Sequence, residues 1–254
     1  MADLVGELEG KVAIVTGSAR NIGRATALEL ARAGAALVIN ARTSKDLCED
    51  VAHEIESAGG RALPFVADIT DADAVERMCA AAKSEFGGID ILVNNAAARS
   101  HKPFVELDLD DWHHALGAAF QGAFHLSKVC VPSMIERGSG SIIGVGGLNA
   151  YRGQPGRSHG MAAKAGLGAL MRGLAFDLGK YKIRANFVVV GTFDTELAGS
   201  STAKTAPPDI SGIPLGRLGV PQDMANLIRF LVGPGASYIS GQTIHLNGAT
   251  FCPQ

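Results

Sequence analysis

Residues 11–23 read KVAIVTGSARNIG. The four-residue apolar run 12–15 leads through Thr16 to Gly17, and from Ile22 the apolar residues recur with helical spacing. Short runs that are apolar throughout suit strands covered on both faces. A glycine-bearing turn from strand to helix lets backbone N–H groups approach a pyrophosphate, and the free N–H groups of the helix start then stabilise it. Asn21 stands where a third glycine is expected, but asparagine tolerates left-handed backbone better than most residues. The turn is therefore expected to keep its shape.

The same rhythm continues along the chain. Residues 11–16, 36–40, 63–67, 89–94, 141–145, 184–190 and 242–246 read as strands. Between them, 22–33, 44–58, 71–86, 109–135, 156–178 and 221–232 read as helices, several beginning after Ser, Asp or Pro and stopping at a glycine such as Gly34, Gly59 or Gly87. Such alternation implies right-handed crossovers and helices on both faces of a parallel sheet. The expected fold is α/β: a single doubly wound, Rossmann-like domain with a seven-stranded parallel sheet, spanning 1–254. One segment breaks the rhythm: 198–214, rich in Ser, Thr, Ala, Gly and Pro, follows the sixth strand, where ligands sit in such sheets. It reads as a mobile substrate lid; an idle surface loop is the plainer alternative.

Composition narrows the function. The chain has 254 residues and a formal charge of −2, with no basic block, which argues against nucleic acid or an anionic membrane as partner. No apolar run approaches the roughly 18 residues of a membrane span, and the acidic start has no signal-peptide core. A cytoplasmic protein with a small-molecule partner is expected. Glycine is the outlier, at 32 residues, or about 13% against a usual value of about 7%. Cys48, Cys79, Cys130 and Cys252 are scattered without metal-ligand spacing and read as reduced, apolar fillers; no metal site is expected.

Several motifs together resemble the short-chain dehydrogenase/reductase family, from Gly10 to Gly248. The turn Thr16-Gly17-Ser18-Ala19-Arg20-Asn21-Ile22-Gly23 is similar to its T-G-x-x-x-G-x-G, and Asn94-Asn95-Ala96-Ala97 to its N-N-A-G. Val190-Gly191 with Thr195 resembles its P-G-x-x-x-T, and Ile213–Arg217 and Ser240–Gly248 resemble its C-terminal region. Asn21, Ala97 and Val190 depart from the pattern. The resemblance implies a nicotinamide dinucleotide held by Gly17, Ser18, Arg20, Asn21, Ile22 and Gly23, by Asp68 and Ile69 on the adenine side, by Asn95 and Ala96, and by Lys164, Gly191 and Thr195 at the nicotinamide end. An NAD site usually has an acidic residue after the second strand. Here that strand ends Asn40-Ala41-Arg42. Arg42 and Arg20 suit a 2′-phosphate through their forked donors, so NADP(H) is favoured over NAD(H); two merely solvated arginines are the alternative.

The resemblance also locates a gap. Family members use Tyr-x-x-x-Lys, a serine thirteen residues before the tyrosine, and an asparagine on the preceding long helix. Lys164 is retained within His159-Gly160-Met161-Ala162-Ala163-Lys164, but the tyrosine position is Gly160, the serine position Gly147 and the asparagine position Ala119. No Tyr-x-x-x-Lys occurs in the chain, whose tyrosines are Tyr151, Tyr181 and Tyr238. A positioned general acid is worth about 10²–10⁴ in rate, and a lost polarising serine weakens stabilisation of a developing alkoxide. Candidate replacements are His159, Tyr151 and Asn149, with Arg99 and His101 further off; each has a bland reading as a packing or surface residue. The expected function is that of an oxidoreductase with a non-standard active site, acting on a carbonyl or an activated double bond. The alternatives are a catalytically inactive NADP(H)-binding sensor or partner subunit, and a non-redox lyase or hydratase. Small residues along 162–173 suit close helix approach, and family members pair this helix across subunits. A homotetramer or dimer is expected, or assembly with a homologous active subunit.

Overall fold

The opening apolar run forms β1 (Val12–Val15), and the helix after it is α1 (Asn21–Arg32). The computed structural model describes residues 6–98, 100–195 and 209–253. In chain order there follow β2 (Ala36–Ala41), α2 (Lys45–Ser57), β3 (Arg61–Val66), α3 (Ala72–Phe86), β4 (Ile91–Asn94), α4 (Leu109–Leu116), α5 (Gly122–Glu136), β5 (Gly140–Gly147), α6 (Asn149–Arg152), α7 (Ser158–Leu178), β6 (Ile183–Val190), α8 (Pro221–Val232) and β7 (Thr243–Leu246). The seven strands make one sheet in the order β3-β2-β1-β4-β5-β6-β7, every neighbouring pair parallel. This is the doubly wound Rossmann-like architecture expected, with each strand within two residues of its expected limits.

Alternate residues of a strand face opposite sides of a sheet, and the core divides accordingly. Ala13, Val15, Leu37, Ile39 and Val93 face α1, α2 and α8 through Leu30, Val51, Ile55, Met224 and Ile228. Ile14, Val38, Leu92 and Ile142 face α3, α5 and α7 through Met78, Leu126, Met134, Leu167 and Met171. The edge strand β3 is only partly covered and contains Pro64, which an edge tolerates. Bare backbone in β5 brings α7 close: a Cβ at Gly146 would lie 2.1 Å from Phe187 Cζ, and one at Gly168 of α7 would lie 3.0 Å from Phe187 Cε1. The Phe187 ring thus fills a hollow floored and roofed by glycines. Among the described residues the cysteines are free thiols, Cys79 and Cys130 touching at 3.6 Å.

One element differs from expectation. The single helix expected over 109–135 is α4, a π-helical turn at Gly117–Gln121, and α5. Glycines bracket the wide turn. Gly122 presses on Ile69, where a Cβ would come within 2.6 Å of Cδ1, and Gly117 faces Thr70. Weak helix formers at both ends, each held against the loop after β3, permit the extra residue. Of the expected lid, 198–208 lie outside the described residues; 209–214 include a turn in which Ile213 N donates to Ile210 O at 2.9 Å.

Candidate active site

The chain reverses its direction of winding between β1 and β4, and the turns leaving these two strands meet. Thr16 is the junction, fully buried. Its hydroxyl donates to Val93 O at 3.3 Å and accepts from the N–H groups of Asn95 and Ala96, each at 3.0 Å. Asn95 returns the link, its Nδ2 donating to Thr16 O at 2.8 Å and Gly17 O at 3.3 Å. Ser18 ties the same turn to β2: its Oγ donates to Val15 O and accepts from Asn40 N.

Gly17 has φ +62° and Asn21 φ +50°, so Asn21 adopts the left-handed conformation its place in the turn requires. Gly23 cannot carry a side chain: a Cβ there would lie 2.2 Å from Gly17 O. Ile22 is buried behind the turn. The α1 start has neither a side-chain cap nor an acidic residue in its first turn. A helix start without such a cap is a ready place for an anion.

Asn40, buried at the end of β2, donates from Nδ2 to Phe65 O at 3.2 Å and Ala67 O at 3.1 Å, pinning β2 to β3. Arg42 and Arg20 are both exposed, and among the described residues neither guanidinium has an ion-pair or hydrogen-bond partner. Arg24, by contrast, pairs with Glu54 of α2. Arg20 and Asn21 border a cleft of about 830 Å³ that runs past Leu47, Glu54 and Asp194 to Pro221. Asp68 accepts at one oxygen from Thr70 N at 2.9 Å and Thr70 Oγ at 2.8 Å, and Ile69 is buried under Gly122.

Across the switch point, β5 ends at Gly147 and α7 carries Gly160 and Lys164. A Cβ at Gly147 or at Gly160 would meet nothing within 4 Å, so both positions face open space. Lys164 is half-buried and donates from Nζ to Val145 O at 2.6 Å. Ala119 is buried in the π-helical turn. Gly191 hangs from β7 through N–H to Leu246 O at 2.9 Å, and a Cβ there would strike Asn247 Cα at 2.5 Å. Thr195, four residues on, is half-buried.

Among the described residues, no hydrogen bond or ring contact joins one replacement candidate to another. Tyr151 joins an aromatic group, its ring centroid 4.8 Å from that of His245 and 6.1 Å from that of Phe251. Burial there lowers the pKa of His245. Asn149 is exposed and bonded to Gln154. Arg99 lies outside the described residues. His101 packs its ring against Gly156. His159 is fully buried, with Nε2 2.5 Å from Ser100 Oγ, a partner 59 residues away that sequence reading did not identify. Among the described residues no group of acidic, histidine or cysteine side chains is placed to hold a metal, and no described helix is long and apolar enough to cross a membrane.

Comparisons with known proteins agree with this fold. A family model described as enoyl-(acyl carrier protein) reductase matches residues 17–249. The 3-oxoacyl-(acyl-carrier-protein) reductase FabG of Thermotoga maritima is 34% identical over 241 residues, which cover 95% of this chain and 98% of that protein. The enzyme of the same name from Haemophilus influenzae is 34% identical over 244 residues, 96% of this chain and 99% of its own. Among solved structures, a 7α-hydroxysteroid dehydrogenase complexed with NADH and 7-oxoglycochenodeoxycholic acid superposes with a TM-score of 0.89. It is 34% identical, covering 97% of this chain and 96% of that one.

Proposed function

We propose, from the premise that this chain belongs to the short-chain dehydrogenase/reductase family of oxidoreductases, that it binds NADP(H) and reduces a carbonyl or an activated double bond through a non-standard active site. The observation that carries the cofactor assignment is the cradle at the first turn. There Gly23 has no room for a Cβ beside Gly17 O, and the α1 start has no side-chain cap. A pyrophosphate fits such a place, and the residues present suit the group.

Gly17, Ser18, Asn21, Ile22 and Gly23 would hold the pyrophosphate, with Asn95 and Ala96 fixing the turn from the far side. Asp68 and Ile69 would face the adenine, and Arg20 and Arg42 a 2′-phosphate. Lys164, Gly191 and Thr195 would meet the nicotinamide end. When bound, the dinucleotide supplies the hydride. Lys164 brings a positive charge over the carboxyl end of β5, where Val145 O fixes it. A Schiff base is the other use of a buried lysine, but an ammonium already bonded to a carbonyl suits a holding role. Gly147 and Gly160 offer volume and no hydroxyl, so the proton must come from elsewhere, and the open space admits a broader substrate than a tyrosine would.

Residues 198–214 are assigned as the lid of a single-domain, cytoplasmic enzyme. The outer face of α7 is assigned to subunit pairing, as a homodimer or homotetramer. Ala162, Ala165, Ala169 and Gly173 are exposed along it, and Phe176, next in the stripe, is 90% exposed.

Fluorescence titration with NADPH and with NADH is the test of the dinucleotide assignment. Tight NADPH binding, clearly stronger than NADH, is expected; binding of neither near millimolar concentration overturns it. The double variant Gly147→Ser, Gly160→Tyr then separates enzyme from sensor. A gain of reductase activity on a simple ketone means that the pocket is poised for hydride transfer. Binding without turnover in parent and variant alike assigns the chain to a sensing or partner role.

A further inference from the structure

The loop leaving β4 and the start of α7 are fastened together. Lys102 N donates to Gly156 O at 3.0 Å, and Gly156, at φ +69°, leaves no room for a side chain, since a Cβ would lie 2.5 Å from the His101 ring. Beside this seam the His159 side chain is fully buried, its Nε2 bonded to Ser100 Oγ. Its Nδ1 is buried as well and has no hydrogen-bond partner among the described residues. A buried polar atom left unpaired is costly, and an apolar side chain would pack this seam without that cost. The histidine is therefore better explained by chemistry than by packing. Ser100 is only half-buried. Gly160, the next residue after His159, and Gly147, at the end of the neighbouring strand β5, both face open space.

We infer that Ser100, backed by His159, is the hydroxyl that passes a proton to the reacting oxygen, where Gly160 and Gly147 supply none. This rests on the reductase reading above. As the carbonyl carbon of a ketone gains a hydride from the reduced nicotinamide dinucleotide, the carbon–oxygen π pair becomes an alkoxide lone pair. The Ser100 O–H bond breaks toward that alkoxide while His159 Nε2 holds Oγ in place, and a solvent proton reaching the half-buried Oγ re-forms its O–H. One hydride and one proton are consumed per alcohol formed. Ser100 is the catalytic residue, and His159, acting through it, is a positioning residue.

The test uses the full chain with NADPH and an acetoacetyl thioester. Ser100→Ala is expected to lower kcat about 100-fold while KM and the dinucleotide Kd stay within twofold. Ser100→Thr, which keeps the hydroxyl, retains activity within about fivefold. His159→Gln, which keeps a donor toward Oγ, falls less than His159→Ala. In the Gly147→Ser, Gly160→Tyr background, Ser100→Ala costs less than threefold, because the restored side chains carry the proton. A readout free of turnover is ¹⁵N NMR of the imidazole in dinucleotide-free protein. There a secondary alcohol, 3-hydroxybutyrate, should shift the His159 Nε2 signal in the parent and leave it unmoved in Ser100→Ala. Normal turnover by Ser100→Ala overturns the inference. So does an Nε2 signal that ignores the alcohol in a parent that binds NADPH. A parent that binds no dinucleotide refutes the reductase reading instead, and the NMR arm still decides whether Ser100 meets a substrate oxygen.

Discussion

Asn95 Nδ2 and the Thr16 carbonyl lie 2.8 Å apart, joining the turn after β4 to the turn after β1. The two halves of the sheet are thus laced at the point where the winding reverses, and the phosphate-facing turn is held from outside itself. Asn95→Ala removes this bond and a second one to Gly17 O. Neutral bonds of this kind contribute about 1 kcal/mol each. NADPH affinity is expected to fall about tenfold by fluorescence titration, with the circular dichroism spectrum unchanged.

Gly23→Ala tests the cradle directly. The added methyl cannot be relieved by rotating a side chain, because what it meets at 2.2 Å is the Gly17 carbonyl oxygen. The turn must open, and overpacking of this kind costs about 1–3 kcal/mol. Dinucleotide binding should be lost, and the urea midpoint should drop with an unchanged m-value.

Arg20→Ala and Arg42→Ala should separate the two dinucleotides. Neither guanidinium has a competing partner among the described residues, so each is available to a phosphate. Because both are exposed, solvent screens them, and about a tenfold loss of NADPH affinity is expected per substitution. NADH affinity should stay within twofold. Salt at 1 M should shrink the NADPH preference of the parent and leave that of the double variant unchanged.

Acid should find a weak point at Glu29. This α1 carboxyl is 4% exposed. Burial pushes its pKa up, but bonds from Arg229 and Gln222 and the charges of Arg32 and Arg229 outweigh that and hold it below its ordinary 4.5. A carboxyl whose folded pKa is depressed stabilises the fold above its unfolded pKa, and that stability is lost as pH falls through the folded value. Glu29→Gln should cost about 3 kcal/mol at pH 7, the low end for a buried pair losing one member, since Glu7 still holds Arg229 at 2.6 Å. Urea titrations should show the gap between parent and variant constant down to about pH 4.5 and narrowing below it.

How much of this is legible in the sequence depends on the range of the interaction involved. Apolar runs such as 36–39 and 187–190 report burial on both faces locally, and the strands lie there. The left-handed Asn21 follows from residue type and its place in the turn. The π-helical turn escapes such reading because its cause is contact of Gly117 and Gly122 with Thr70 and Ile69, about 50 residues earlier in the chain. The aromatic group that engages Tyr151 gathers residues from α6, β7 and the segment after it. Ser100 shows the same limit: nothing adjacent marks it, and only the fold sets it against His159.

Phe187 has a consequence beyond packing. A rigid ring lies between bare backbone of β5 below and bare backbone of α7 above, so its thickness sets how high that helix rides over the sheet. Lys164 and His159 ride with it. The aromatic ring acts as a shim, and a thinner or softer side chain would lower the whole helix at once. Alignment of the reaction chemistry would then be lost through a residue that touches no ligand.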